Sequence, residues 1–393
     1  MDGTRAWVRE RFGEVLDLVA RRAAEVDRTA EFPEDVLRAY QEAGLMAAQV
    51  PPELGGLGLS HLQFAAVVEE VARYSGALSL LLIVQAVGVL PVVLRPEFPR
   101  REEVLTGVAR SGHLVGFALT EPPSGSDAYN MRSEVVHQDG GFRLTGVKYL
   151  ITNAGKAHSY VVFANFREPG LKHVAAYLVP ADREGVKVGP PNRLLGMRGI
   201  PTASVYFDRV PVDDADRIGE KNDGYVLAME TLNISRPWIG AQAVGLARGA
   251  LEAAIHFACQ RRVMGEPLID KQGIRFLIAD VASRIEAASA LVERTSRMID
   301  AGREDYTAQS AMCKLFATET AMWACERSLQ ILGGPGCIAG NRAERAFRDV
   351  KITQIYEGAN EVQKILVARE LVRQAQACRT AKEAQAAAPE LLT

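Results

Sequence analysis

The hydrophobic period of this chain changes twice along its length, and that change limits the folds open to it more than any other feature. Up to about Arg110 apolar residues recur at helical spacing. Phe12, Val15, Leu16 and Val19 share one face, Pro33 opens a segment through Val36, Leu37 and Tyr40, and PPELGGLGLS interrupts before the next helix. From Leu114 to Val212 the pattern becomes strand-like. LVGFALT, GFRLTGVKYLIT, SYVVFANF, HVAAYLVP and ASVYFDRV are rich in β-branched and aromatic residues, with Gly, Pro and Asp clusters between them, including a DGG turn from Asp139 to Gly141. After Gly224 helical spacing returns: Ile274, Leu277, Val281, Ile285, Ala288 and Val292 line one face of a long helix. Further long helices are expected over 225–262, 307–332 and 360–376, with fraying in the Ala-rich stretch after Thr380. The expected architecture is α+β: an N-terminal helical domain over 1–113, a middle β domain of barrel or sandwich type over 114–224, and a C-terminal four-helix bundle over 225–393. A chain of 393 residues is long enough to divide in this way.

Several function classes are disfavoured at once. Lys plus Arg number 46 against 48 Asp plus Glu, a net charge of −2, so no overall field draws the chain to nucleic acid or to an anionic membrane. The stretch from Gly76 to Leu94 carries no charge, but Gln85, Gly88 and Pro91 interrupt it and it stands alone, which predicts a buried core helix rather than a membrane span. The N-terminal segment is too charged for a signal peptide, and its acidic residues argue against a transit peptide. The five cysteines have no Cys-x-x-Cys spacing, which suits free thiols and a cytoplasmic location. The six histidines form no HExxH or paired helical spacing, so no metal site is expected. There is no GxGxxG after a strand, no GxxxxGK[ST] and no GxSxG.

The informative segments are local. FALTEPPSGSD (117–127), GVKYLITNAGKA (146–157), LGMRGIPTASVYFDRVPV (195–212), SRP (235–237), QRRVMGEPLIDKQ (260–272), QILGGPG (330–336) and RDVKITQIYEGANEVQ (348–363) follow one another through both structural periods. Seven segments in this order resemble the acyl-CoA dehydrogenase family over nearly the whole chain. The resemblance implies an FAD-dependent α,β-dehydrogenation of an acyl thioester, carried by coenzyme A or by an acyl carrier protein. It further implies electron-transferring flavoprotein as electron acceptor and a homo-oligomer, a tetramer by family habit.

Site residues follow from the same resemblance, and each also has a plainer reading. Phe117, Leu119 and Thr120 would line the flavin and Ser126 would reach the pantetheine or nucleotide portion of the substrate; read alone, the segment is a strand-to-loop turn capped by Ser126 and Asp127. Ile151 and Thr152 would border the isoalloxazine ring, where a hydroxyl favours negative charge on reduced flavin; read alone, Thr152 is an ordinary strand residue. Leu150 stands where the family usually has an aromatic residue. Arg261 and Gln272 would meet the FAD pyrophosphate and a polar edge across a subunit interface, joined by Gln330, Gly333 and Gly334, with Met264 in place of a usual Phe. A solvated loop between helices explains Arg261 and Gln272 as well.

Glu357, in IYEGAN, carries the chemistry that the resemblance implies. A carboxylate is the expected base for a proton beside a thioester carbonyl when desolvation raises its pKa. Spacing alone favours an acid placed at a helix N-terminus; the resemblance makes Glu357 the catalytic base. Some members carry the base near the SRP segment instead, where this chain has Ser235. Asn233, Arg236, Tyr356 and Gly358 fall on the substrate side by resemblance, and Ala359 and Glu361 on the cofactor side, Asn233 replacing a common Asp and Ala359 a common Thr. The family polarises the thioester carbonyl with the main-chain N–H of its Glu and a ribityl hydroxyl of FAD. Leu80, Val84 and Val87 fall near the acyl chain by alignment and hint at a short or branched substrate, which helix packing explains equally well. An oxidase, a monooxygenase on the same scaffold, or a silent thioester-binding protein are the alternatives.

Overall fold

The computed structural model describes residues 1–138, 140–168 and 171–387, and its elements run helix, sheet, helix as the change of period predicts. Five helices come first: α1 (Asp2–Thr29), α2 (Glu34–Glu42), α3 (His61–Ala72), α4 (Gly76–Val93) and α5 (Arg101–Ser111). Pro33 is the N-cap of α2. A capping box starts α3, with the Gln63 N–H donating to Ser60 Oγ at 3.2 Å and the Ser60 N–H donating to Gln63 Oε1 at 3.0 Å. The uncharged α4 is the one described helix long and apolar enough to cross a membrane. All of it except Val84 and Val93 is buried in protein, the surroundings of a core helix.

Eight strands form the middle sheet: β1 (Val115–Ala118), β2 (Glu134–Gln138), β3 (Gly141–Thr152), β4 (Ser159–Glu168), β5 (Leu171–Pro180), β6 (Val186–Val188), β7 (Thr202–Val212) and β8 (Arg217–Ile218). Their order is β6-β7-β3-β2-β4-β5-β8, with β1 parallel to the first half of β4. Five of them coincide with the five β-rich runs. The other three were not expected from pattern: β6 and β8 are too short to show a period, and β2 (EVVHQ) carries charge and His among its valines. Asp139 of the expected DGG turn lies outside the described residues, though Gln138 pairs with Gly141 across it. Alternation along β4 sends Val161 and Phe163 into a core shared with α4, α5 and the start of α6. Tyr160, Val162 and Ala164 point to the opposite face, against Leu144, Tyr177 and Val205.

The C-terminal helices are α6 (Gly224–Gln260), α7 (Gln272–Asp300), α8 (Thr307–Leu332), α9 (Arg342–Thr353) and α10 (Asn360–Ala387), with a small hairpin, β9 (Arg262–Val263) and β10 (Glu266–Pro267), between α6 and α7. Two differences from expectation stand out. The short α9 is an addition to the four long helices, and α10 runs through the Ala-rich stretch to Ala387 instead of fraying at Thr380, as high alanine helix propensity allows.

One apolar core joins both helical regions: Val8, Phe64 and Leu78 belong with Trp238, Ile239, Val292 and Cys313. The approach of α3 to α6 depends on glycine. A Cβ on Gly245 would lie 2.3 Å from the Glu69 carbonyl oxygen, and one on Gly249 2.1 Å from that of Arg73. The buried Glu69 carboxylate receives Arg5 at 2.8 Å and Arg248 at 2.9 Å, tying α1, α3 and α6 together.

Candidate active site

The link between α9 and α10 carries two successive residues in left-handed conformation, Glu357 at φ +56° and Gly358 at φ +92°. Glycine adopts this freely; for glutamate it costs roughly 1–2 kcal/mol, so the neighbours must hold it. Gln363 Nε2 donates to the Gly358 carbonyl at 2.9 Å, and Lys314 Nζ donates to the same oxygen at 2.8 Å. A Cβ on residue 358 would come within 2.4 Å of Gln363 Nε2, so a larger residue would push that amide off the Gly358 carbonyl.

This turn directs the Glu357 side chain at α6. Ser235 Oγ donates to Glu357 Oε2 at 2.7 Å, and Oε1 makes no hydrogen bond to a described residue. Burial pushes the Glu357 carboxyl above its ordinary pKa; the Ser235 bond and the charges of Arg236 and Lys314 oppose this without cancelling it. Arg236 is itself buried, its pKa lowered to about 10 by desolvation against the pull of Glu357. It donates to Asn233 Oδ1, while its Nε has no partner among the described residues. On the far side of Glu357 the Tyr356 hydroxyl donates to Gln242 Oε1. Gln242 Nε2 in turn donates to Ser79 Oγ at 3.0 Å and to the Gly76 carbonyl at 3.1 Å, so the loop, α6 and α4 meet there. On the Asn233 side a groove of about 310 Å³ opens, lined by Tyr225, Met229, Glu230, Asn233, Glu304 and Tyr306.

The β-layer residues form a second group. The Tyr149 N–H donates to the Thr120 carbonyl at 2.8 Å, which sets Leu119 and Thr120 against β3. A bulge in the β3–β7 register between Lys148 and Ile151 turns Leu150 to φ +56° and leaves it 48% exposed, while Ile151 is buried and Thr152 lies opposite Thr202. Phe117 stacks at a tilt on Phe163, ring centroids 5.0 Å apart. Phe117, Thr120 and Thr152 are partly exposed and Leu150 is exposed, so apolar and hydroxyl side chains of this layer remain open to a ligand. Ser126 is exposed, and Ser124 rather than Ser126 closes that loop, donating to the Asp127 carbonyl.

Six further candidates lie on other elements. Arg261, Met264 and Gln272 surround the β9–β10 hairpin, Gln330, Gly333 and Gly334 end α8, and all six are exposed, Met264 by 94%. Ala359 is half-buried before α10 and Glu361 is exposed in its first turn. Sequence reasoning did not single out Lys314, Gln242, Asn360 or Gln363. The available sign was polar residues in runs of small or apolar ones: Lys314 is flanked in helical register by buried Ala311, Ser310, Ala317 and Thr318.

A half-buried carboxylate of raised pKa on the helical side and partly exposed apolar and hydroxyl side chains on the β side are the two groups of candidate residues the fold presents. The profiles of the acyl-CoA dehydrogenase N-terminal, middle and C-terminal domains match residues 5–110, 116–210 and 222–372. Cyclohexane-1-carbonyl-CoA dehydrogenase of Geobacter metallireducens is 38% identical over 91% of this chain and 94% of its own. An acyl-CoA dehydrogenase of Bacillus subtilis is 36% identical over 90% and 94%. Among solved structures, butyryl-CoA dehydrogenase from Megasphaera elsdenii superposes with a TM-score of 0.90 at 29% identity, covering 94% of this chain and 98% of that one. An acyl-CoA dehydrogenase from Bacillus anthracis complexed with FAD gives 0.83 at 28%, covering 95% and 68%. The chain belongs to the acyl-CoA dehydrogenase family.

Proposed function

We propose that the protein dehydrogenates an acyl-CoA at the α,β-position with FAD as cofactor, and that Glu357 is the base. The observation that supports this most is the state of Glu357: a carboxylate desolvated enough to raise its pKa, anchored by one oxygen to Ser235 and free at the other. A raised pKa makes the ionised carboxylate a stronger proton acceptor, which is what removal of a weakly acidic α-hydrogen requires.

Phe117, Leu119, Thr120, Leu150, Ile151 and Thr152 would hold the flavin, and when bound it supplies the acceptor for the hydride leaving the β-carbon. The Glu357 main-chain N–H makes no hydrogen bond to a described residue, so it is available to a thioester carbonyl, where it would favour charge developing on oxygen. Oε1 then takes the α-proton while Ser235 keeps the carboxylate from turning. The groove beside Asn233 suits the pantetheine arm, with Arg236, Tyr356 and Gly358 around the thioester and Ser126 farther along the carrier portion.

The exposed set of Arg261, Met264, Gln272, Gln330, Gly333 and Gly334, together with exposed apolar Ile365, Leu371 and Val372 on α10, supports a homotetramer in which a second copy completes the FAD site. Ala359 and Glu361 would belong to that same cofactor boundary. Electron-transferring flavoprotein as acceptor and a cytoplasmic location complete the reading.

Anaerobic mixing of the FAD-loaded protein with a panel of acyl-CoA and acyl-carrier thioesters tests it. Bleaching of the flavin band by an acyl-CoA, and none in a Glu357→Gln protein that keeps its yellow colour, is expected. Undiminished bleaching by Glu357→Gln overturns the base assignment, and turnover of carrier thioesters alone overturns the coenzyme A reading.

A further inference from the structure

Lys314 is fully buried in the middle of α8, and nothing proposed above employs it. A buried ammonium is costly unless its protons are engaged, and a carboxylate is the usual partner. Here both hydrogen bonds go to neutral oxygens: the Gly358 carbonyl at 2.8 Å and Asn360 Oδ1 at 2.9 Å. Asn360 is oriented in turn by Thr318, one helical turn beyond Lys314, through Nδ2 to Oγ1 at 3.0 Å. The Gly358 carbonyl also accepts from Gln363 at 2.9 Å. The peptide that follows Gly358 is therefore gripped from α8 and α10 together, directly after the two left-handed residues.

We propose that Lys314 is a positioning residue for Glu357. It locks the Glu357-Gly358 turn through the Gly358 carbonyl, and in its charged form it opposes protonation of the carboxylate in a desolvated place. The proposal rests on Glu357 being the base. The charged groups facing Lys314 are Glu357 in the loop, Arg236 on α6, Glu361 on α10 and Glu319 on its own helix; Glu357 faces Arg236 and Lys314, with Tyr356 adjoining. Burial draws Lys314 down to about 7, with Glu357 the largest opposing influence. The cation is thus present on the acid side of neutrality, where its charge opposes protonation of Glu357.

The test is the anaerobic bleaching rate of the FAD-loaded full chain, followed across pH for Lys314→Met, Lys314→Gln, Lys314→Arg and Glu357→Gln. Lys314→Met is expected to slow bleaching at neutral pH by about tenfold or more and to move the acid limb of the rate profile upward by about one unit, equal to about 1.4 kcal/mol. Lys314→Arg keeps a cation and is expected to return the limb toward its wild-type position. Lys314→Gln keeps a donor for the Gly358 carbonyl and is expected to recover rate without returning the limb. An inactive Glu357→Gln together with wild-type rate and limb in Lys314→Met overturns the role of Lys314 and leaves the base assignment standing. An active Glu357→Gln overturns the base assignment itself. If Lys314→Met fails to fold or to hold FAD, Lys314→Gln decides: a wild-type limb there overturns the proposal, and an upward shift supports it.

Discussion

The molecule buries two lysines beside two glutamates, and it treats them in opposite ways. In the β domain Lys148 Nζ donates directly to Glu121 Oε1 at 2.8 Å and to the Leu119 carbonyl at 3.0 Å. The main-chain N–H groups of Arg132 and Ser133 donate to Glu121 at 2.5 Å and 3.0 Å. Burial raises the Glu121 pKa, but Lys148 and these donors win and hold it below the ordinary value. At the α9–α10 loop the corresponding lysine keeps off the carboxylate, a single serine bonds it, and burial wins. Fully engaged, Glu121 can do little except hold the Leu119–Thr120 segment against β3. Glu357 has been left a free oxygen and an elevated proton affinity, which makes it reactive and leaves its own loop poorly compensated.

Exchanging the demands on the two acids gives the largest effects. Glu357→Gln should lower the bleaching rate by about 10²–10⁴-fold, the usual contribution of a general base, while thermal unfolding stays at or above the wild-type midpoint. Lys148→Met leaves a buried carboxylate unpaired, so urea unfolding of the FAD-loaded protein should show a loss of about 3–5 kcal/mol, with residual activity tracking the folded fraction. Should Lys148→Met unfold like wild type, or Glu357→Gln lose several kcal/mol, the division of labour between the pairs would be wrong.

Unfolding free energy against pH separates the pairs further, because the two carboxylates are shifted in opposite directions. The Glu121 pKa is depressed on folding, so its stabilisation is complete above the ordinary carboxylate range and is lost as pH falls through the folded value. Glu121→Gln should therefore lie below wild type at neutral pH and converge with it on acidification. The Glu357 pKa is raised on folding, so its favourable contribution is present below the ordinary range and is lost as pH rises through the folded value. Glu357→Gln should be more stable than wild type at neutral pH, and that gain should vanish in acid. Parallel curves for the two variants would remove the contrast.

How much of this was readable in the sequence differs by region for physical reasons. The four long strands β3, β4, β5 and β7 and the four long helices announce themselves, because a period of two or 3.6 sustained over many residues leaves few alternatives; β1 is short but falls in an apolar, β-rich run. Strands β2, β6 and β8 exist through pairing with neighbours, which no local pattern reports, and α9 is short and mostly polar. Glu357 was legible only through resemblance: nothing in IYEGAN tells a loop carboxylate over a site from a helix-end acid. The bulge that exposes Leu150, and the left-handed backbone at Glu357 and Leu150, arise from register and tertiary grip. Lys314 and Gln242 hide for a different reason. A single polar residue on an apolar helix face reads as a surface position unless the opposite face is also known to be buried, as it is for α6 and α8.

The smallest expected effect gives the sharpest view of the Glu357 corner. Ser235→Ala removes the one side-chain hydrogen bond to this carboxylate among the described residues and changes no charge. Its stability cost should be about 1 kcal/mol or less, because the bond is spent restraining an acid that burial already disfavours as an anion. The kinetic trace should be clearer than the thermodynamic one. With Ser235 gone, one of the influences that lower the Glu357 pKa is lost, so the acid limb of the bleaching profile should move to higher pH while the plateau rate above it stays near wild type. Lys314→Met should lower the plateau as well, because the backbone beneath the carboxylate is then released. A Ser235→Ala profile that coincides with wild type would mean that the working carboxylate has turned away from α6, and the free oxygen assigned to proton transfer would have to be sought in another rotamer of Glu357.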